Sequence, residues 1–352
     1  MSPTPCNFHI LNCWSKAGIG TSIILAFGDP TTNGPSSARV ALDLGATPAF
    51  GESVPASVVL LSHGHIDHIG AIFSHARAHT LSFSGSVPTY HVPKQILPLV
   101  QAAKEAMIAL NAAGGDRKGA TLEMNLIGVE PGDEVVLPFQ KHLKGKDVIV
   151  RVFATSHAGC PSVGYVISTR RREKVLRAEF RDLPADKIRD LARSGVVVKE
   201  DVVEETFDVM YTGDTTFEAL ETNAELWSRC HTIFCEVTYL DATDKSRVMA
   251  RDRGHMHIDD VVQLLNLAGE NQRLILIHIS GRYSAQQALN FLTASIPNQS
   301  ASRVEVAVLS LSGSSRVSKI ARKGLVALSA YAREQKAQVS NKGRTRFEQR
   351  QL

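Results

Sequence analysis

The sequence predicts an α/β protein in which β-sheets are covered by helices, and three observations point to it. Short apolar runs of strand character recur along the 352 residues, at Val58–Leu61, Val148–Ala154, Thr232–Cys235 and Leu274–Ile277. Helical stretches are interleaved with them, at Ile69–Ala78, Glu218–Ser228, Ile258–Leu267 and Ser284–Ala294. Each run also stops at a polar, metal-capable residue, which gathers such residues at one edge of the sheets.

Taken in order, Ser22–Phe27 and Arg39–Leu44 predict an opening hairpin around the turn-forming cluster Asp29–Ser36. Val58–Leu61 predicts a buried strand that delivers Ser62-His63-Gly64-His65-Ile66-Asp67-His68, and Ile69–Ala78 a helix with Asp67 near its start. Val92–Leu110 reads as a longer helix broken by Pro98 and ended by Gly114–Gly119. Strands Val148–Ala154, Phe207–Tyr211, Thr232–Cys235 and Leu274–Ile277 then lead to His157, Asp214, Glu236 and His278 in turn. Pro184–Val198 predicts a short helix ending at Gly195, directly after a basic run from Arg170 to Arg181.

A hydrophobic content of 43% over this length supports a large core in a globular chain. The net charge of +4 permits a polyanionic partner without requiring one. Cys6, Cys13, Cys160, Cys230 and Cys235 are scattered without a Cys-x-x-Cys pair, so reduced thiols are expected rather than a disulfide framework. Neither a leader segment nor a membrane span is apparent, and a soluble protein of the cytosol or nucleus is expected, an organelle being compatible as well.

The chemistry rests on ligand type and order. Imidazole and carboxylate suit zinc, with Mn²⁺ or another divalent ion compatible. His63, His65 and His157 are expected to hold one metal, Asp67, His68 and His278 a second, with Asp214 bridging. Two metals about 3.5–4 Å apart bring the pKa of a shared water towards ~7 and clamp an in-line displacement. Phosphodiester cleavage also needs a proton for the departing 3′-oxygen. His255, oriented by Glu236, is the expected donor, and His257 competes with it. Arg282, in Ser280-Gly281-Arg282-Tyr283, is placed to grip a phosphate. His75, His79, His91, His142 and His231 have no comparable setting and read as structural.

The order His63-x-His65-x-Asp67-His68, His157, Asp214, His278 resembles the metallo-β-lactamase superfamily. Within it, Ala250–Ile258 and His278–Tyr283, together with Leu61–Gly70, Ser162–Tyr165, Tyr211–Thr216 and Glu236–Thr238, are most similar to the short, plant-type branch of the tRNase Z family. That resemblance spans about residues 20 to 295. It implies a four-layer αββα sandwich, two zinc ions per chain, and an endoribonuclease that removes 3′ trailers from precursor tRNA and works as a homodimer. Carried over position by position, its ligands fall on the seven residues above, its acid pair on Glu236 and His255, and its phosphate-contacting arginine on Arg282.

The chain departs from the family in four places. The interval 168–205 has no Gly-Pro-rich arm tip and is expected to act as a basic insert in its stead. Ile279 stands for the usual Phe, Ser15–Gly20 lacks the usual Pro and Arg and leaves Lys16 as a substitute, and the loop from Asp29 to Ser37 is longer. The expected organisation is one hydrolase domain over 1–325 and a basic, disordered tail over 326–352. The alternative activity is hydrolysis of a cyclic nucleotide or another small phosphodiester. A non-catalytic RNA-binding protein on the same fold is a third reading.

Overall fold

Period-two alternation along the strands sorts the apolar side chains into separate cores, and this sorting creates the layers. The computed structural model describes residues 7–28, 38–113, 115, 121–139, 143, 145–307 and 325–334. One sheet has six strands in spatial order: β1 (Phe8–Lys16), β2 (Gly20–Phe27), β3 (Ala38–Leu42), β4 (Val58–Leu60), β5 (Thr89–Pro93) and β6 (Asn125–Val129). The other has eight: β7 (Glu134–Leu137), β8 (Lys146–Ala154), β9 (Val163–Leu176), β10 (Lys199–Tyr211), β11 (Thr232–Glu236), β12 (Arg273–Ile277), β13 (Val304–Ala307) and β14 (Leu325–Ala327).

Helices α1 (Phe50–Ser53), α2 (Ile66–Ile69), α3 (Ile72–Ser82) and α4 (Leu97–Ala112) belong to the first half of the chain. Helix α5 (Ala185–Arg193) lies between β9 and β10, and α6 (Phe217–Glu221), α7 (Ala224–Trp227), α8 (Asp244–Asp252), α9 (Ile258–Leu267) and α10 (Ala285–Ser295) follow.

On β12, Leu274 and Leu276 join a core with Val261, Leu264, Leu289 and Leu292 of α9 and α10. Ile275 and Ile277 point the other way, into a core shared with Ile23, Leu25 and Leu60 of the six-stranded sheet. On β4 the same rule sends Val58 and Leu60 between the sheets and Val59 towards Ile72, Ala76 and Val100. Helix, sheet, sheet and helix therefore stack as the expected four-layer αββα sandwich. Each fully buried aliphatic side chain contributes about 1.5–3 kcal/mol, so a one-residue register slip, which would invert every face, is strongly disfavoured.

Several elements differ from expectation. The expected antiparallel pair is present as β2 and β3, but β1 precedes it and pairs antiparallel with β2, so the hairpin that opens the chain is β1–β2 and Ser15–Gly20 forms its strand ends and tight turn. Gly70 and Ala71 divide the helix expected at Ile69–Ala78 into α2 and α3. The segment expected as one helix from Val92 is a strand, β5, followed by α4. Pro98 opens that helix instead of breaking it, because the first turn has no use for an N–H there.

The interval 168–205 is a long antiparallel hairpin of β9 and β10 with α5 at its tip, the helix stopping before Gly195 at φ +90°. It is less basic than its opening run suggests, with ten Lys and Arg against nine Asp and Glu. Arg170 faces Glu205, Arg171 faces Glu204 and Lys174 faces Asp201 across the ladder. Arg170 also bridges Glu134 at 3.2 Å and Glu205 at 3.5 Å. At the C-terminus, Leu325–Ala327 pairs with β13 and the helical stretch 328–334 buries Leu328 and Tyr331, so the fold runs past the expected boundary at 325. The rest of the expected tail, 335–352, and the whole loop from Asp29 to Ser37 lie outside the described residues, as does His142. Among the described residues no helix is long and apolar enough to cross a membrane.

Candidate active site

The loops that leave β4, β8, β10, β11 and β12 converge on one cleft lined by His65, Asp67, His157, Asp214, His255, His278 and Arg282. Two triads of candidate ligands face each other there. His63, His65 and His157 form one, and Asp67, His68 and His278 the other, with the ligand atoms of each within 4.8 Å of one another. His157 Nε2 lies 3.1 Å from His65 Nδ1, and His278 Nε2 lies 3.3 Å from both His68 Nε2 and Asp67 Oδ2. Ligands of a tetrahedral zinc with bonds near 2.0–2.1 Å stand about 3.3 Å apart, so these spacings suit a shared ion better than direct hydrogen bonds between rings.

Asp214 stands between the triads. Its Oδ2 is 3.4 Å from His278 Nε2, 3.5 Å from His68 Nε2, 3.7 Å from His157 Nε2 and 3.8 Å from His63 Nε2. Its Oδ1, like His63 Nε2, is buried without a hydrogen-bond partner. An orphaned acceptor and an orphaned ring nitrogen in one buried cluster of imidazoles and carboxylates fit a divalent cation and are costly without one. Burial and the neighbouring His68 hold His63 well below the usual histidine range, and burial with His157 lowers His65, which keeps both rings in the neutral form that metal binding needs. Burial opposes ionisation of Asp67, but the neighbouring His278 and His68 imidazoles hold its carboxyl well below the usual range.

Buried partners aim these rings. Asp43, at φ +54°, accepts from His68 Nδ1 at 2.6 Å, Ser62 Oγ at 2.6 Å, Ser62 N at 2.7 Å and Tyr211 Oη at 2.5 Å. His157 Nδ1 donates to the Gly254 carbonyl at 2.9 Å. That contact requires glycine, because Gly254 lies at φ +66° and a Cβ there would stand 2.6 Å from His157 Cα. Asp67 Oδ2 accepts from Gly18 N at 2.7 Å, which ties the second triad to the β1–β2 turn.

A second group borders the same cleft. His255 Nδ1 lies 2.8 Å from Glu236 Oε1 and 3.9 Å from Asp214 Oδ2. Burial opposes its protonation, yet the Glu236 carboxylate raises the His255 imidazole to about 9. His257 is occupied elsewhere: its Nε2 donates to the Asp241 carbonyl at 2.8 Å and its Nδ1 accepts from Asp259 N at 3.2 Å, capping α9. Arg282 is exposed on the cleft wall with its guanidinium 4.7 Å from the Tyr239 ring centroid and its Nε donating to Ser280 Oγ at 3.1 Å. Lys16 reaches the same wall, its Cε 3.0 Å from where a Cβ on Gly281 would be.

A family model, the β-lactamase superfamily domain, matches residues 35–279. The chain belongs to the β-lactamase superfamily. Among curated proteins no sequence match is found. Among solved structures, the metallo-β-lactamase-fold protein YhfI from Bacillus subtilis is similar at 12% identity, covering 86% of this chain and 97% of that one with a TM-score of 0.51. Yeast PDE1 is similar at 12% identity, over 86% of this chain and 98% of that one, with a TM-score of 0.51. Human tRNase Z, short form, matches at 12% identity over 78% and 93% with a TM-score of 0.46. Likeness at this identity establishes the fold and nothing finer.

For a β-lactamase-superfamily chain, divalent-metal binding and hydrolase chemistry follow, and the clustered imidazoles and carboxylates are in keeping with both. All ten residues singled out from the sequence reach this one cleft or its buried floor. His75, His79 and His91 do not: His75 Nδ1 bonds Tyr90 Oη at 2.6 Å, His79 Nδ1 the Val54 carbonyl at 2.8 Å, and His91 is buried in β5. Sequence reasoning missed Asp43 and Thr238, whose contacts to His68 and His278 are made across the fold. The one local signal was Asp43-Leu44-Gly45 at the end of an apolar strand, the same strand-then-carboxylate pattern that marked Asp214.

Proposed function

We propose that this chain is a zinc-dependent endoribonuclease that hydrolyses the phosphodiester at the 3′ end of precursor tRNA, leaving a 3′-hydroxyl on the tRNA and a 5′-phosphate on the trailer. The observation that carries the reading is a carboxylate-held imidazole, His255 on Glu236, on the rim of a cleft floored by two ligand triads. A ribose 3′-oxygen is a poor leaving group and needs that proton, and a developing pentacovalent phosphate needs cations beside it. His63, His65 and His157 would hold one zinc, Asp67, His68 and His278 the other, and Asp214 both. When bound, such ions supply an activated water and charge neutralisation.

The protein's own groups do the rest. Asp67, His68 and His278 fix one side of the cleft floor, Arg282 takes two phosphate oxygens in a bidentate contact, and His255 Nε2 gives its proton to the departing oxygen. The motif stretches Ala250–Ile258 and His278–Tyr283, which carry His255 and Arg282, point to RNA trailers as the substrate. A homodimer belongs to the same reading, with exposed Ile19, Ile66 and Leu99 beside the cleft as its apolar contact. The molar mass in solution, with Leu99→Glu as a monomerising control, tests that part.

Cleavage of an end-labelled precursor tRNA with the product ends mapped tests the activity. Cuts scattered through the RNA, or no turnover with metal loaded, would exclude it. Hydrolysis of a cyclic nucleotide or other small phosphodiester is the second reading, favoured by the charge balance of the hairpin 168–205, which weakens any grip on a polyanion. Binding of precursor tRNA with a steep salt dependence separates the two.

A further inference from the structure

Thr238 follows Glu236 by two residues, is 5% exposed, and has four polar atoms around one hydroxyl. Glu236 Oε2 lies at 2.8 Å, His278 Nδ1 at 3.0 Å, the His278 carbonyl at 3.1 Å and His255 Nδ1 at 3.3 Å. A hydroxyl carries a single proton, so these contacts admit few arrangements.

The metal-binding reading, on which this inference rests, selects one. His278 Nε2 stands 3.3 Å from Asp67 Oδ2 and 3.4 Å from Asp214 Oδ2, and a metal held by these atoms takes the lone pair of that nitrogen, so Nε2 then carries no proton. The ring proton then sits on Nδ1 and is donated to Thr238 Oγ1. The hydroxyl, having accepted it, gives its own proton to its shortest partner, Glu236 Oε2. The other oxygen, Oε1, already accepts from His255 Nδ1 at 2.8 Å and Thr215 N at 3.0 Å, and Thr238 N adds a contact to Oε2 at 3.2 Å. One buried carboxylate thus orients two imidazoles, His255 directly and His278 through a hydroxyl. The two rings stack at 5.4 Å between centroids with 25° between their planes.

We infer that Thr238 is a positioning residue that sets the tautomer of His278 and the rotamer of Glu236 together, joining the metal side of the cleft to its proton-donor side. His278 has φ +57°, a conformation few non-glycine residues adopt and one that persists only where neighbours hold it; here its N–H donates to Ser15 Oγ at 2.9 Å and the Thr238 hydroxyl lies 3.1 Å from its carbonyl. The methyl of Thr238 contributes packing, whereas the inference concerns only the hydroxyl, and the two are separable by substitution.

The test compares Thr238→Val, which keeps the shape and removes the hydroxyl, with Thr238→Ser, which keeps the hydroxyl and removes the methyl. The readout is metal affinity by chelator competition, with single-turnover cleavage as a second measurement. Thr238→Val is expected to lose about 10–100-fold in affinity for one of the two ions, the usual effect of removing such an outer partner, and to lower kcat more than KM. Thr238→Ser is expected to keep wild-type affinity. Should Thr238→Val fail to fold, Thr238→Ala against Thr238→Ser makes the same comparison. Equal affinity in the hydroxyl-free and wild-type proteins, with two ions bound in both, overturns the inference alone, as does a Ser variant as weak as the hydroxyl-free one. A folded wild-type protein that takes up no divalent ion overturns the metal reading and the inference with it.

Discussion

Replacing His255 by Gln removes the proposed proton donor while leaving the seven expected ligands in place, and the structure bears on the size of the effect. Glu236 raises His255 to about 9 against the opposition of burial, which favours the protonated ring at neutral pH. A positioned general acid contributes ~10²–10⁴-fold, or about 3–5 kcal/mol of barrier, and that is the loss expected for cleavage at a ribose 3′-oxygen. A nitrophenyl phosphodiester, whose leaving group departs without a proton, should be turned over by His255→Gln almost as fast as by the wild-type protein. The sign with pH follows as well: the active form is protonated, so the wild-type rate falls as pH rises through the pKa. The charge of bound metal pulls that pKa down, so the fall lies at or below about pH 9. In Glu236→Gln it should begin at lower pH, because the raising carboxylate is gone. Single-turnover rates on both substrates, with metal content measured alongside, decide the matter. Equal slowing on both substrates, or loss of metal from His255→Gln, would refute the assignment of His255 as the acid.

Asp67→Ala should abolish cleavage with the fold largely kept, since its carboxylate is held by Gly18 and His278 at the cleft and not by the core; circular dichroism with the cleavage assay checks both halves. Asp43→Ala leaves the Ser62, His68 and Tyr211 donors buried without their acceptor and should cost about 3–5 kcal/mol in urea melts, together with weakened metal binding. Burial lowers His75 and His91 to about 4 in the fold, whereas an unfolded histidine titrates near 6.5. The unfolded chain therefore takes up more protons as pH falls from 6.5 towards 4, and stability should drop across that window; denaturant midpoints that stay flat there would contradict it. In the hairpin of β9 and β10, Asp201→Asn with Glu204→Gln removes the carboxylates across the ladder from Lys174 and Arg171, and should raise affinity for RNA with a steeper salt dependence in gel-shift titrations.

What the sequence by itself determined was local. The strand-then-ligand pattern of Val58–His68 and Leu274–His278 gave the layer class and the ligand types, because period-two alternation and donor chemistry are written in neighbouring residues. Glu236 with His255 was legible for the same reason, each standing in a short stretch of distinctive composition. Only the tertiary structure sets His255 and His257 apart, placing the first beside Glu236 at the cleft and engaging the second with the Asp241 carbonyl and the start of α9. Only it revealed Asp43 and Thr238, whose roles are hydrogen bonds to residues 25 and 40 positions away. It also reversed the reading of the basic run from Arg170, because charge along a strand says nothing of the strand that pairs with it, and the ladder opposite supplies Asp201, Glu204 and Glu205. Ligand identity is a property of the chain, while the field and the orientation in which a ligand works belong to the elements that folding brings beside it.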